Sequence, residues 1–324
     1  MRKQKINYGF FKIMTGSDLS TRRLAIMSAK SKNPGPVVWL TGCVHGDEVG
    51  GIAVIQEVFK KLRTQPLEQG AIFAIPLMNP MGFETNSRYM AISEEDLNRS
   101  FPGKKNGSLA ERVAEKIFST IMETKPTLVL DLHNDWIKSI PYTLIDPKPP
   151  KHKDAYETTK KIAQQTGFLV INEQENGDDA EELKKTLSGS LISQGIPALT
   201  LELSESYIID EKNVSDGIKS VWNILSYLKM VEPDKQPFHH YSRNGLENKI
   251  LKYSHLPTSS TSGIVRFLAK PGEIVKPGQP IARVYNVFGR LEETIATNSE
   301  AVLLGNSDSV VALPGVPLMA FGLI

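Results

Sequence analysis

Apolar and polar positions follow two different periods along this chain, and the change falls near residue 232. Before it, short apolar runs bounded by glycine or proline alternate with stretches that are apolar at every third or fourth position. GPVVWLTG at 35–42 predicts a buried strand, and Asp47 to Leu62 predicts a helix with Val49, Ile52, Ile55, Phe59 and Leu62 along one face. AIFAIPLMN at 71–79, PTLVLDLH at 126–133 and IPALTLEL at 196–203 predict further strands. Ser108-Leu-Ala-Glu111 has the form of a capping box and opens a helix with Val113, Ile117 and Ile121 in register. Residues 154–166, 180–194 and 214–228 carry helical spacing as well. Nearly continuous apolar strands are expected where helices cover both faces of a sheet. The alternation therefore predicts an α/β fold, with a mixed, largely parallel sheet flanked by helices.

The segment VEPDKQPFHHYSRNGLEN at 231–248 is polar and rich in turn formers. It divides the chain into an expected catalytic domain at 1–232 and a small all-β domain at 233–324. Beyond it the period becomes two, with β runs separated by Pro-Gly pairs at 271–272 and 277–278. A length of 324 residues agrees with two cores rather than one.

Composition narrows the function. Hydrophobic content of 40% and charged content of 23% exclude disordered and fibrous classes. A net charge of +2 leaves no electrostatic footprint for nucleic acid or an anionic membrane. Cys43 is the single cysteine, so no intrachain disulfide forms, which fits a reducing compartment. The amino-terminal stretch lacks the apolar core of a signal peptide, and no window approaches the ~18 apolar residues of a membrane span. A soluble, cytoplasmic protein is expected, and nothing in the pattern specifies an oligomeric state.

The chemistry concentrates at strand ends. In open α/β sheets, ligands sit beyond the carboxyl ends of the strands. His45 lies just past the first strand, Glu48 three residues later at the start of a helix, and His133 closes another strand. Two histidines and one carboxylate, with a fourth position open, form the ligand set of a catalytic zinc. Glycines around His45 allow close backbone approach. Asp131 or Asn134 could orient a ligand from behind. Cys43 reads as a packed strand residue. Glu202 lies in an apolar strand, where a carboxylate needs a function or a buried cation. Glu205 should face the opposite side of that strand. His239, His240 and His255 belong to the linker region and are expected to be exposed.

Four motifs in order, HGDE at 45–48, DLNRSFPG at 96–103, DLHND at 131–135 and TLEL at 200–203, resemble the succinylglutamate desuccinylase/aspartoacylase family of zinc carboxypeptidase-like hydrolases. The resemblance covers about residues 35–232 and implies a role for each position. His45, Glu48 and His133 would bind one zinc per chain. Glu202 would be the general base, and Arg88 would polarise the scissile carbonyl. Asn98 and Arg99 would grip a substrate carboxylate, although the pair could instead cap a helix and form an ion pair. The spacer between Arg88 and Asp96 is longer than in aspartoacylase. The implied activity is hydrolysis of the amide of a small N-acyl amino acid. A carboxypeptidase acting on short peptides would use the same residues.

The carboxyl-terminal part resembles biotinyl and lipoyl carrier barrels, which modify a lysine in an exposed hairpin. Lys252 would be that lysine if the chain were a non-catalytic binding or carrier protein. A barrel beside the active-site mouth that limits substrate size is the expectation preferred here.

Overall fold

The computed structural model describes residues 3–15, 19–173, 179–240, 246 and 249–324. Part of the 231–248 linker, namely 241–245, 247 and 248, lies outside these described residues. The chain opens with two strands, β1 (Ile6–Thr15) and β2 (Thr21–Lys30). Then come β3 (Val37–Gly42), α1 (Gly50–Leu62), β4 (Ala71–Ile75), α2 (Pro80–Glu84), a 3-10 turn at Leu97–Arg99 and α3 (Leu109–Glu123). Next are β5 (Leu128–Asp135), β6 (Lys138–Ser139), β7 (Tyr142–Ile145), α4 (Lys153–Ala163) and β8 (Leu169–Asn172). After these come α5 (Asp179–Leu183), α6 (Leu187–Ser193), β9 (Ala198–Glu205) and α7 (Glu211–Tyr227). The rest is β: β10 (Ile250–Ser254), β11 (Gly263–Phe267), β12 (Ile274–Val275), β13 (Pro280–Tyr285), β14 (Leu291–Ala296), β15 (Ala301–Asn306), β16 (Val311–Ala312) and β17 (Met319–Leu323).

The main sheet runs β1-β2-β4-β3-β5-β9-β7-β8-β10-β17-β15-β12, with β6 beside β15. Its centre is parallel from β4 through β3 and β5 to β9, β7 is antiparallel to β9, and β7 and β8 are again parallel. This is the mixed sheet expected from the alternation. A second, antiparallel sheet, β14-β13-β11-β16, belongs to the carboxyl-terminal part. The sheet does not stop at the linker, because β10 pairs in parallel with β8 and antiparallel with β17.

Strand alternation decides where the chemistry sits. On β5, Leu128, Leu130 and Leu132 pack into the core beneath α1 and α7. Val129, one step out of phase, packs into the core on the α3 and α6 side. Asp131 and His133 share the face of Val129, by the two-residue period. On β9, Leu199, Leu201 and Leu203 join the first core and Ala198 the second, which places Thr200 and Glu202 on the same face as His133. The apolar row of that face thus turns polar at the carboxyl end of the parallel strands.

Several elements depart from expectation. The hairpin of β1 and β2 and the strands β7 and β8 were not foreseen. Residues 180–194 form two short helices rather than one, because Thr186 caps α6 by accepting from the Gly189 N–H at 2.9 Å. The capping box does form: Ser108 Oγ accepts from the Glu111 N–H at 3.2 Å, and Glu111 Oε2 accepts from the Ser108 N–H at 2.9 Å. His239 is exposed as expected, but His240 and His255 are half-buried, and His240 Nδ1 lies 3.0 Å from Asp216 Oδ2. Lys252 is not in a hairpin tip; it sits within β10, in register with Asn172 on one side and Leu323 on the other.

Candidate active site

The sharp corner after β3 is set by backbone contact. At Gly46 a Cβ would lie 1.9 Å from the Gly82 backbone carbon, so no larger residue fits without moving one of the two segments. Cys43 takes a φ of +53°, is buried and donates its thiol to the His45 carbonyl at 3.2 Å. Burial, then the charges of Glu48 and Asp47, push that thiol up to about 12, and with its sulfur turned to the His45 carbonyl Cys43 is a packed residue.

The corner delivers His45 and Glu48, and β5 delivers His133, to one point. Glu48 Oε1 is 2.6 Å from His45 Nδ1, and Glu48 Oε2 is 2.9 Å from His133 Nδ1. One ligand atom from each of the three lies within 4.8 Å of the others, and all three residues are buried. The imidazole rings meet edge to face with centroids 5.3 Å apart. Each ring is held from behind by an acid. His133 Nε2 lies 2.9 Å from Asp131 Oδ2, whose other oxygen accepts from Thr41 Oγ1 at 2.6 Å. His45 Nε2 lies 3.2 Å from Asp96 Oδ1. Such pairing fixes the tautomer and leaves Nδ1 of both rings for a metal.

Asp131 thus braces His133 from behind, and Asn134 braces Glu48 through its main chain, donating its N–H to Glu48 Oε2 at 3.1 Å. The Asn134 side chain ties the start of α1 to the end of β9, accepting from the Gly50 N–H and donating to the Glu205 carbonyl. Asp96 was missed, although it stands inside the DLNR motif. It also accepts from Arg88 Nη2 at 3.1 Å, and Arg88 Nη1 lies 3.5 Å from Glu48 Oε1. The longer spacer therefore still brings Arg88 to the candidate metal trio.

The carboxyls respond to this crowding. Burial opposes charge on Glu48, yet the imidazoles of His45 and His133 outweigh it and hold the group well below the usual carboxylate range. Asp96 is likewise held low, with His45 and Arg88 overcoming burial. Glu202 goes the other way. Burial pushes it well up against the pull of His133, and its Oε2 is sealed from solvent with no hydrogen-bond partner. Glu202 is in register with His133 on one neighbouring strand and with Tyr142 on the other. Glu205 faces away, toward Gly50, Val54 and Val214, as alternation required.

A cavity of about 220 Å³ opens over this floor and brings all seven expected site residues together. Its wall includes Asn98 and Arg99. Asn98 Oδ1 accepts from the Leu187 N–H at 3.0 Å, which leaves its amide NH₂ as the group able to donate outward. Asn98 is not the cap of its turn, since Asp96 accepts from the Asn98 N–H at 2.8 Å. Arg99 is half-buried, with Nε 3.5 Å from Glu182 Oε2. Residues the sequence did not offer also line the cavity, among them Tyr142, Asp146 and, from the carboxyl-terminal part, Tyr253.

The donor set fits a divalent metal: two imidazole nitrogens with oriented tautomers, one ionised carboxylate, and a partnerless carboxylate oxygen beside them. The model of the succinylglutamate desuccinylase/aspartoacylase catalytic domain matches residues 34–228. The chain belongs to this family. Members are deacylases, so the broad chemistry is that of a hydrolase. An N-alpha-acetyl-L-2,4-diaminobutyric acid deacetylase of Halomonas elongata is 25% identical over 295 residues, covering 87% of this chain and 80% of the relative. The product-bound ectoine utilization protein EutE of Ruegeria pomeroyi superposes with a TM-score of 0.81 at 18% identity, over 100% of this chain and 96% of its own. A Burkholderia mallei structure described as a carboxypeptidase shares the fold more distantly, with a TM-score of 0.55 and 15% identity over 71% of this chain and 64% of its own. The carboxypeptidase-like architecture expected from the motifs is therefore present.

Proposed function

We propose that this protein is a cytoplasmic, zinc-dependent deacylase that hydrolyses the amide of a small N-acyl amino acid. The observation that carries the reading is the partnerless, buried Glu202 Oε2 beside the cavity floor, one strand from His133 and its partners. The family of deacylases and the diaminobutyrate deacetylase relative support the same class of substrate.

His45, Glu48 and His133 would hold one zinc. Zinc bound there supplies Lewis acidity, polarising an acyl carbonyl and making water nucleophilic near neutral pH. Glu202 takes the proton from the attacking water and later delivers it to the departing amine. Burial raises its proton affinity, and a neighbouring cation would lower it. Arg88, held by Asp96, offers a guanidinium to the developing oxyanion, a contact of a kind typically worth about 2.7–4 kcal/mol in the transition state. The Asn98 amide and the Arg99 fork suit a planar substrate carboxylate. The cavity volume of about 220 Å³ favours a small substrate over a polypeptide.

The test is a panel of N-acyl amino acids and dipeptides offered to zinc-reconstituted protein, with release of free amine as the readout. Release from N-acyl amino acids is expected. Turnover of dipeptides alone would replace the deacylase by a carboxypeptidase. Turnover of neither, with no zinc retained, would leave a binding role.

A further inference from the structure

The face of the central sheet that carries His133 and Glu202 turns polar one level deeper as well. There Thr41 on β3 is in register with Asp131 on β5, and Asp131 with Thr200 on β9. Trp39 packs into the core on the α3 and α6 side, and Thr41 follows two residues later on the same face. Thr41 is 0% exposed and Asp131 1%, so solvent reaches neither. The Thr41 hydroxyl has one hydrogen to give. Asp131 Oδ1 lies 2.6 Å from Thr41 Oγ1, whereas the Leu130 carbonyl is 3.5 Å away, so the hydrogen goes to the carboxylate. Valine has the same branched shape and would fill this place in the sheet without a buried polar group.

Both oxygens of Asp131 are thereby committed. Oδ1 accepts from Thr41, and Oδ2 faces His133 Nε2 at 2.9 Å. Among the described residues, Thr41 is the one group that hydrogen-bonds Oδ1. A carboxylate with one free oxygen can turn about its Cβ–Cγ bond and meet an imidazole from several directions. With Oδ1 pinned from the neighbouring strand, Oδ2 has one position, and it holds the His133 ring with Nδ1 toward Glu48. Asp96, the acid behind His45, is pinned differently, by the Asn98 N–H at 2.8 Å and by Arg88 Nη2 at 3.1 Å. Each bracing carboxylate is itself braced, and on the His133 side the brace is a single hydroxyl.

We propose that Thr41 is a positioning residue for the metal site: through Asp131 it fixes the direction of His133 Nδ1, and so sets how tightly the His45–Glu48–His133 trio binds zinc. This rests on the metal reading of that trio, but the hydrogen bonds from Thr41 through Asp131 to His133 can be followed with or without the ion. Thr41 does not line the cavity, and its effect passes through two hydrogen bonds. A hydroxyl that served only the packing of the sheet would change stability and leave zinc affinity alone.

The experiment measures zinc affinity of the full chain by competitive chelator titration. It also follows the His133 Nε2 proton by NMR, which lies far downfield when it bonds an ionised carboxylate. Thr41→Val keeps the shape and removes the hydroxyl. Its zinc affinity should fall on the order of 10-fold, the lower end for groups that orient a ligand from behind, and the Nε2 proton should move upfield. Thr41→Ser should keep both at their wild-type values. In an Asp131→Asn background, Thr41→Val should cost nothing further, as groups acting in series do. Wild-type affinity with an unmoved Nε2 proton in Thr41→Val, or a loss that adds in full to that of Asp131→Asn, would overturn the assignment. Should Thr41→Val not fold, Thr41→Cys, whose thiol is a weaker donor, is read in the same way. Failure of the wild type to bind zinc would defeat the metal reading, and the Nε2 proton of the metal-free protein would still decide Thr41.

Discussion

Where the cavity holds His45, Glu48 and His133, charges are matched within the protein; where it holds Asp146, the carboxylate meets only hydroxyls. The matched end also has its supports in place, with Asp131 and Asp96 behind the two imidazoles. Geometry that must be ready before substrate arrives is built from paired groups, because unpaired buried charges would neutralise or move.

The largest effect should come from breaking the matched end. His133→Ala removes one imidazole, leaves Asp131 without its partner and Glu48 with His45 and Arg88 only, so zinc content and hydrolysis should both fall to background. Normal zinc content in that variant, measured by elemental analysis, would refute the ligand role. Next is Glu202→Gln, which spares the trio. It should keep its zinc and lose on the order of 10²- to 10⁴-fold in kcat, the usual range for a general base. Unchanged turnover would remove Glu202 from the mechanism. Asp96→Ala attacks the support of His45, and zinc affinity should drop by roughly 10- to 100-fold. A competitive chelator titration reads this directly, and unaltered affinity would make Asp96 a partner of Arg88 alone. Lys252→Ala should change nothing measurable in turnover or zinc content, since that side chain is exposed and lies outside the cavity. A mass increase on Lys252 in cell-purified protein would contradict this and revive the carrier reading.

The matched end was also the legible end. His45, Glu48 and His133 stand at strand termini whose apolar runs are unmistakable, and glycines mark the corner between His45 and α1. Asp96 could have been read from DLNR, yet no spacing rule says that an acid 51 residues along reaches the His45 ring. Asp146 and Tyr253 were invisible for a different reason. They enter the cavity through β7, β8 and β10, whose pairing joins residues remote in sequence, and periodicity carries no information about which strands become neighbours. The hairpin of β1 and β2 escaped notice because Tyr8 and Phe10 are exposed on an edge strand, which blurs the inward-outward alternation. The break at Thr186 falls at Thr-Leu-Ser-Gly-Ser, 186–190, weak helix formers where Thr186 caps α6 instead of continuing one long helix.

X-ray absorption at the zinc edge of reconstituted protein tests the ligand assignment most directly. Two imidazole nitrogens and carboxylate oxygen at about 2.0–2.2 Å are predicted in the first shell, with the imidazole signature lost in step with zinc when His45 or His133 is replaced. A sulfur scatterer at about 2.3 Å, or a shell without imidazole, would place the metal elsewhere and contradict the account.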